Sequence, residues 1–146
     1  MECTCWYDTP SSIRAKKILQ TILLDYHLPQ DEDFPLVMYS LLSGEPSVVE
    51  YAYRLVCERL SREDSADSLN LAHKMSALYS LDMLRTVTRL GGCAWKDVIM
   101  LCVVNKDMDC LEYALRVSRD TTTACAIATL LKQQDTLSFI QQTLFL

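Results

Sequence analysis

The sequence predicts an all-α protein, and three observations lead there. Only three glycines and four prolines interrupt 146 residues, too few breakers for a sandwich or barrel of many short strands. Leu, Ala, Met, Lys, Glu and Gln, all good helix formers, are common. Half of the residues are apolar, which at this length builds one domain with a sizeable single core. We expect seven or eight helices joined by short loops.

Thr9-Pro10 is a helix start, since proline is tolerated in the first turn. Ile13, Ile18, Ile22 and Leu23 then fall near one face, and the helix is expected to run from Pro10 to His27, before Pro29. Gln30-Asp31-Glu32-Asp33 is an acidic run, read as a solvated loop or helix start because adjacent acids rarely converge on one ion. Phe34 to Ser43, stopped by Gly44, forms a short apolar helix. Ser47-Val48-Val49-Glu50 has the form of a capping box. It opens a helix to Arg62 with Val49, Tyr53, Val56, Cys57 and Leu60 on one face.

The polar stretch Ser61 to Ser68 reads as a spacer. From Leu69 to Leu90, the residues Leu71, Met75, Leu78, Leu81, Leu84 and Val87 recur at helical spacing, with a bend near Tyr79-Ser80. Gly91-Gly92 ends that segment and Trp95 opens the next. A left-handed glycine commonly terminates a helix, and a large aromatic at the following helix start fixes the packing angle. Gly91, Gly92 and Trp95 are therefore expected to form a structural elbow. Trp95 to Val104 is apolar on nearly every side, so it is expected to be the most buried and central helix. Asn105-Lys106-Asp107 is a turn, with Asp107 or Asp109 capping a helix to Arg119. Thr121 to Gln133 and Thr136 to Phe145 complete the set, with Asp120 and Asp135 at or near their amino caps.

Composition also excludes function classes. The net charge is -5, from 14 basic and 19 acidic residues, and no basic stripe forms, so nucleic acid is not an expected partner. The longest uninterrupted apolar run, Val98 to Val104, is far below the roughly 18 residues of a membrane span. Met1 to Cys5 has no features of a secretory signal, and a cytoplasmic protein without stable membrane insertion is expected. Seven cysteines without framework spacing are expected as reduced thiols, mostly buried. Cys3-x-Cys5 lacks two further zinc ligands, and His27 and His73 lie in no metal or catalytic motif. No phosphate loop or nucleophile elbow is present. Neither enzymatic activity nor a metal or cofactor is expected, and the amphipathic stripes point instead to capture of a partner helix in an apolar groove.

Four segments, in order, resemble motifs of the Bcl-2 apoptosis regulators. Leu24 to Gln30 is similar to the end of the first-helix motif, and Tyr53-Arg54-Leu55-Val56-Cys57-Glu58-Arg59-Leu60 to the third homology motif. Gly92-Cys93-Ala94-Trp95 matches the first homology motif, and Phe139-Ile140-Gln141-Gln142 resembles the start of the second. The family usually follows its tryptophan with Gly-Arg, where this chain has Lys96-Asp97. The second motif also lacks its Gly-Gly-Trp.

The resemblance implies a Bcl-2-like globular bundle around a central apolar helix, of the form of the viral survival factors. It further implies a groove lined by Leu60, Leu84, Val87, Thr88, Ala94 and Met100, with Arg89, Lys96 and Asp97 at the rim. Lys96 or Arg89 would replace the family's groove arginine. The implied partners are BH3-motif pro-apoptotic proteins, Bim-like helices first and Bak or Bax besides, whose sequestration would inhibit apoptosis. Recruitment to mitochondria would come through those partners, and an open groove would also permit a homodimer.

One alternative is drawn from the residues themselves. Cys110-Leu111-Glu112-Tyr113-Ala114 and Thr136-Leu137-Ser138-Phe139-Ile140 align at an offset of 26 residues, as in a helical-repeat α-solenoid that serves as an interaction adaptor.

Overall fold

A computed structural model describes residues 10–25 and 36–145. Among them are nine α-helices, one 3-10 turn and no strand. They are α1 (Pro10–Asp25), α2 (Leu36–Ser40) with the 3-10 turn Leu41–Ser43, α3 (Pro46–Arg59), α4 (Arg62–Ser76), α5 (Leu81–Leu90), α6 (Trp95–Asn105), α7 (Met108–Ser118), α8 (Thr121–Leu130) and α9 (Gln134–Phe145). The all-α expectation stands, and α1 begins at Pro10 as read from the sequence. Its expected end at His27, the acidic run and Cys3-x-Cys5 lie outside the described residues.

Several boundaries differ from the sequence reading: α3 ends at Arg59 rather than Arg62, which opens α4, and α9 begins at Gln134 rather than Thr136. The Ser47 capping box does not form. Proline fixes φ and has no N–H to lose, so Pro46 starts α3 two residues earlier and Glu45 takes the cap position. Glu45 then turns to Arg14 of α1, whose guanidinium meets both carboxylate oxygens at 2.6 and 2.7 Å. Glu50 pairs one turn along with Arg54, at 3.2 Å. The polar stretch from Ser61 is not a spacer but the first half of α4. Ser61 accepts the Asp64 N–H at 3.1 Å, and Glu63 and Asp64 sit where the helix dipole favours acids.

The break near Tyr79-Ser80 is present, with Ser80 capping α5 by accepting the Met83 N–H at 3.1 Å. The caps read at Asp107 and Asp120 are also present, accepting from Cys110 and Thr123 at 3.2 and 3.1 Å.

Helices α4/α5, α6/α7 and α8/α9 pack as hairpins, and the hairpins stack. One layer holds α1, α3, α5, α7 and α9, and the other α2, α4, α6 and α8. Extensive contacts join each helix only to others no more than two helices away along the chain. Buried side chains fall in two clusters. The first draws Leu19, Val37, Val49, Ala52 and Leu69 from α1 to α4. The second draws Ile99, Val103, Leu111, Ala124 and Ile140 from α6 to α9. Helix α5 joins them, giving Met83 and Val87 to the first and Leu84 to the second.

This stacking corrects the expected place of the Trp95 helix. Val98, Ile99, Cys102 and Val103 are buried against α4, α7 and α8, but Met100 is 42% and Val104 51% exposed. Past its first turn the helix is apolar on nearly every side, yet one strip of it faces water. In a stack of hairpins each helix has neighbours on the sides and one open face, whereas a central helix would be enclosed.

From α6 onward the chain keeps a fixed period. Helices start at Trp95, Met108, Thr121 and Gln134, each thirteen residues after the last. The residues Lys106, Arg119 and Lys132, again thirteen apart, are left-handed with φ of 54°, 61° and 57°. Such a residue lets the next amide reach back to a free carbonyl. Asp107 donates its N–H to the Cys102 carbonyl and Gln133 to that of Ala128, both at 2.9 Å and 26 residues apart.

Candidate functional site

The elbow predicted from Gly91, Gly92 and Trp95 is built, and a residue without an assigned role holds it together. Gly91 is left-handed at φ 119° and donates to the Thr88 carbonyl at 3.0 Å. Gly92 then lies against His73 of α4, so closely that a Cβ at Gly92 would stand 2.7 Å from the imidazole Cγ. His73 is fully buried. Its Nδ1 accepts the Ala94 N–H at 3.0 Å, so the ring proton sits on Nε2 and is donated to the Thr88 hydroxyl at 2.9 Å. Thr88 passes its own proton to the Leu84 carbonyl at 2.7 Å. Trp95 closes the site edge-on to the imidazole, with centroids 4.6 Å apart. Asn70 accepts the Cys93 N–H at 2.9 Å.

Burial pushes the His73 pKa down to about 4. A neutral ring with both nitrogens engaged is a tie between α4, α5 and α6, not a base awaiting a substrate. In the sequence it carries only a weak signal: His73 follows Leu69 and Ala72 on the buried side of α4.

The residues expected to form a groove are divided by the structure. Leu84 and Val87 are fully buried, and they sit in different clusters. Leu60 is half-buried against the first cluster. Thr88 and Ala94, also half-buried, serve the elbow. Arg89, Lys96, Asp97 and Met100 are exposed. Leu84 and Val87 therefore offer no surface to a docking helix. The cause is that α5 bridges two cores and uses both apolar sides of its helix for packing.

The cysteines are likewise divided. All five in the described residues are free, with Cys102 and Cys110 buried but Cys57 and Cys93 exposed, which corrects the expectation of mostly buried thiols. Burial pushes both Cys102 and Cys110 up to about 12. Among the described residues no three His, Cys, Asp or Glu side chains gather to hold a metal.

A cleft of about 350 Å³ opens between α5 and α7, lined by Leu81, Arg85, Asp109, Glu112, Tyr113 and Arg116. These two helices meet more loosely than any other neighbours in their layer. The Arg85 guanidinium lies over the Tyr113 ring, 5.6 Å from its centroid, and Trp95 supports that ring at 6.3 Å. Glu112 accepts from Arg116 Nε and Nη2 at 3.1 and 3.0 Å. Asp109 lies in the first turn of α7. The sequence gives the charged residues among them no assigned role, and the loose α5–α7 seam brings Leu81 and Arg85 to the α7 residues.

No protein-family model, curated protein or solved structure matches this chain. No helix among the described residues is long and apolar enough to cross a membrane.

Proposed function

We propose that the protein is a helical-repeat interaction module that presents a stacked array of α-hairpins to a peptide segment of another protein. The observation that supports this reading is the thirteen-residue period of helix starts from Trp95 to Gln134, joined to packing whose extensive contacts, among the described residues, reach no further than the second helix along the chain. Stacks of this kind create extended surfaces whose recognition is spread over successive repeats. Exposed Leu78, Val104 and Leu130 recur at intervals of 26 residues, so the period extends to the surface.

Capture of a BH3 helix is the second reading, favoured by the Gly92-to-Trp95 elbow that carries the Bcl-2 resemblance. One experiment tests both. The immobilised protein is panned against a randomised peptide library and, in parallel, titrated with BH3 peptides and controls mutated at the leading leucine. Enrichment of a related peptide set, without BH3 binding, supports the repeat module. Saturable BH3 binding lost in the controls would replace it with the groove reading, and failure of both arms would refute peptide capture altogether.

A further inference from the structure

The cleft between α5 and α7 is lined by two arginines and two acids beside Leu81 and Tyr113. We propose that it docks a partner segment carrying an acidic and a basic residue about one helical turn apart. This rests on the interaction-module reading and names the site and the chemistry that the module uses.

Arg85 is the cationic end. Its guanidinium carbon lies over the Tyr113 ring, 5.6 Å from the centroid. No carboxylate among the described residues pairs with it. A flat guanidinium with unengaged donors suits bidentate capture of a carboxylate. Glu112 does not compete, because it is engaged by Arg116.

Asp109 is the anionic end. It stands four residues before Tyr113 on α7, one helical turn away, and no cation among the described residues pairs with it. A ligand with a carboxylate at Arg85 and an ammonium at Asp109 therefore answers both charges. Purely acidic ligands, nucleic acid included, would bring their charge against Asp109. Leu81 and the Tyr113 ring give apolar contact to the side-chain stems between. At about 350 Å³, the cleft is at the small end of ligand pockets and holds a few side chains rather than a folded domain.

The test is an NMR titration of the isotope-labelled full chain with capped five-residue peptides, one of sequence Glu-Ala-Ala-Ala-Lys and others in which Gln replaces the acid, the base or both. The mixed-charge peptide should shift the Tyr113 ring and Arg85 Nε resonances. Removal of either charge should weaken binding about two- to fivefold, as expected for exposed ion pairs. Arg85→Gln should abolish the preference for the acid, and Asp109→Asn the preference for the base. Both positions are exposed, so both variants should fold.

Equal affinity for the doubly neutral peptide, or shifts confined to other helices, would overturn the proposal. If library peptides bind the wild type and Arg85→Gln equally, the module reading stands and the cleft assignment falls. If no library peptide binds at all, both fall.

Discussion

Substitution of Gly92 by alanine should damage this protein more than a single methyl group suggests. The backbone there needs no left-handed conformation, so alanine is sterically permitted by φ alone. The obstacle is His73: a Cβ at Gly92 would lie 2.7 Å from Cγ, 2.9 Å from Cβ and 2.9 Å from Cδ2 of the imidazole. None of these is the free end of a flexible chain. To clear the methyl, His73 must move off the Ala94 amide and the Thr88 hydroxyl that hold it at 3.0 and 2.9 Å.

Overpacking of a filled site costs about 1–3 kcal/mol, and two weakened hydrogen bonds add about 1 kcal/mol each. We expect a total of about 3–5 kcal/mol, seen as a fall in melting temperature of about 10–15 °C. Urea denaturation followed by far-UV circular dichroism measures it. In a His73→Ala background, where the clashing ring is gone, Gly92→Ala should cost under about 1 kcal/mol, a coupling of at least about 2 kcal/mol. If Gly92→Ala matches the wild type within about 0.5 kcal/mol, or the two substitutions simply add, the elbow is not held as described.

The same histidine sets a pH dependence. Its pKa is about 4 in the fold against about 6.5 unfolded, so the unfolded chain binds more protons between those values. Stability is then full above pH 6.5 and falls with acid, by about 2 kcal/mol between pH 7 and pH 5; His73→Gln should flatten the slope, and an unchanged slope would deny the buried neutral ring. Leu84→Glu puts a carboxylate at a fully buried position, so it should abolish cooperative unfolding rather than block a groove selectively; a well-folded variant in circular dichroism would contradict this. Asp120→Ala removes the acceptor of the Thr123 amide and hydroxyl, at 3.1 and 2.6 Å, and should cost about 1 kcal/mol in urea melts. In thiol labelling mapped by mass spectrometry, Cys57 and Cys93 should react in the native protein, and Cys102 and Cys110 only on unfolding.

Much of the helical punctuation is legible in the sequence, because caps and stops act within a few residues. Asp107, Asp120 and Gly91 are recognisable from their local context alone, and they function as that context implies. The misreadings come where two local signals compete. Pro46 overrides the Ser47 box because a fixed φ precedes a side-chain bond in setting the first turn. At Ser61 the hydroxyl cap and two acids outweigh the lack of apolar residues, so a polar run becomes helix. Periodicity of apolar side chains alone would have left it a loop.

The placement of helices relative to one another is less legible, and α6 shows why. An amphipathic stripe says that a face is buried but not by what, and a helix apolar on nearly every side gives no face at all. Val104 and Val103 are equivalent in the sequence, yet one is half exposed and the other sealed. What distinguishes them is direction, since adjacent residues on a helix point about 100° apart, and Val103 faces the second core cluster while Val104 faces the open side. In the sequence the thirteen-residue period surfaces as the 26-residue offset between Cys110 and Thr136 and as the basic residues Lys106, Arg119 and Lys132, which share a left-handed backbone conformation at successive turns. The repeat is kept in the geometry of the turns. The binding chemistry is then free to vary between hairpins, and the Arg85–Tyr113 pair occupies the one seam in its layer that packing leaves loose.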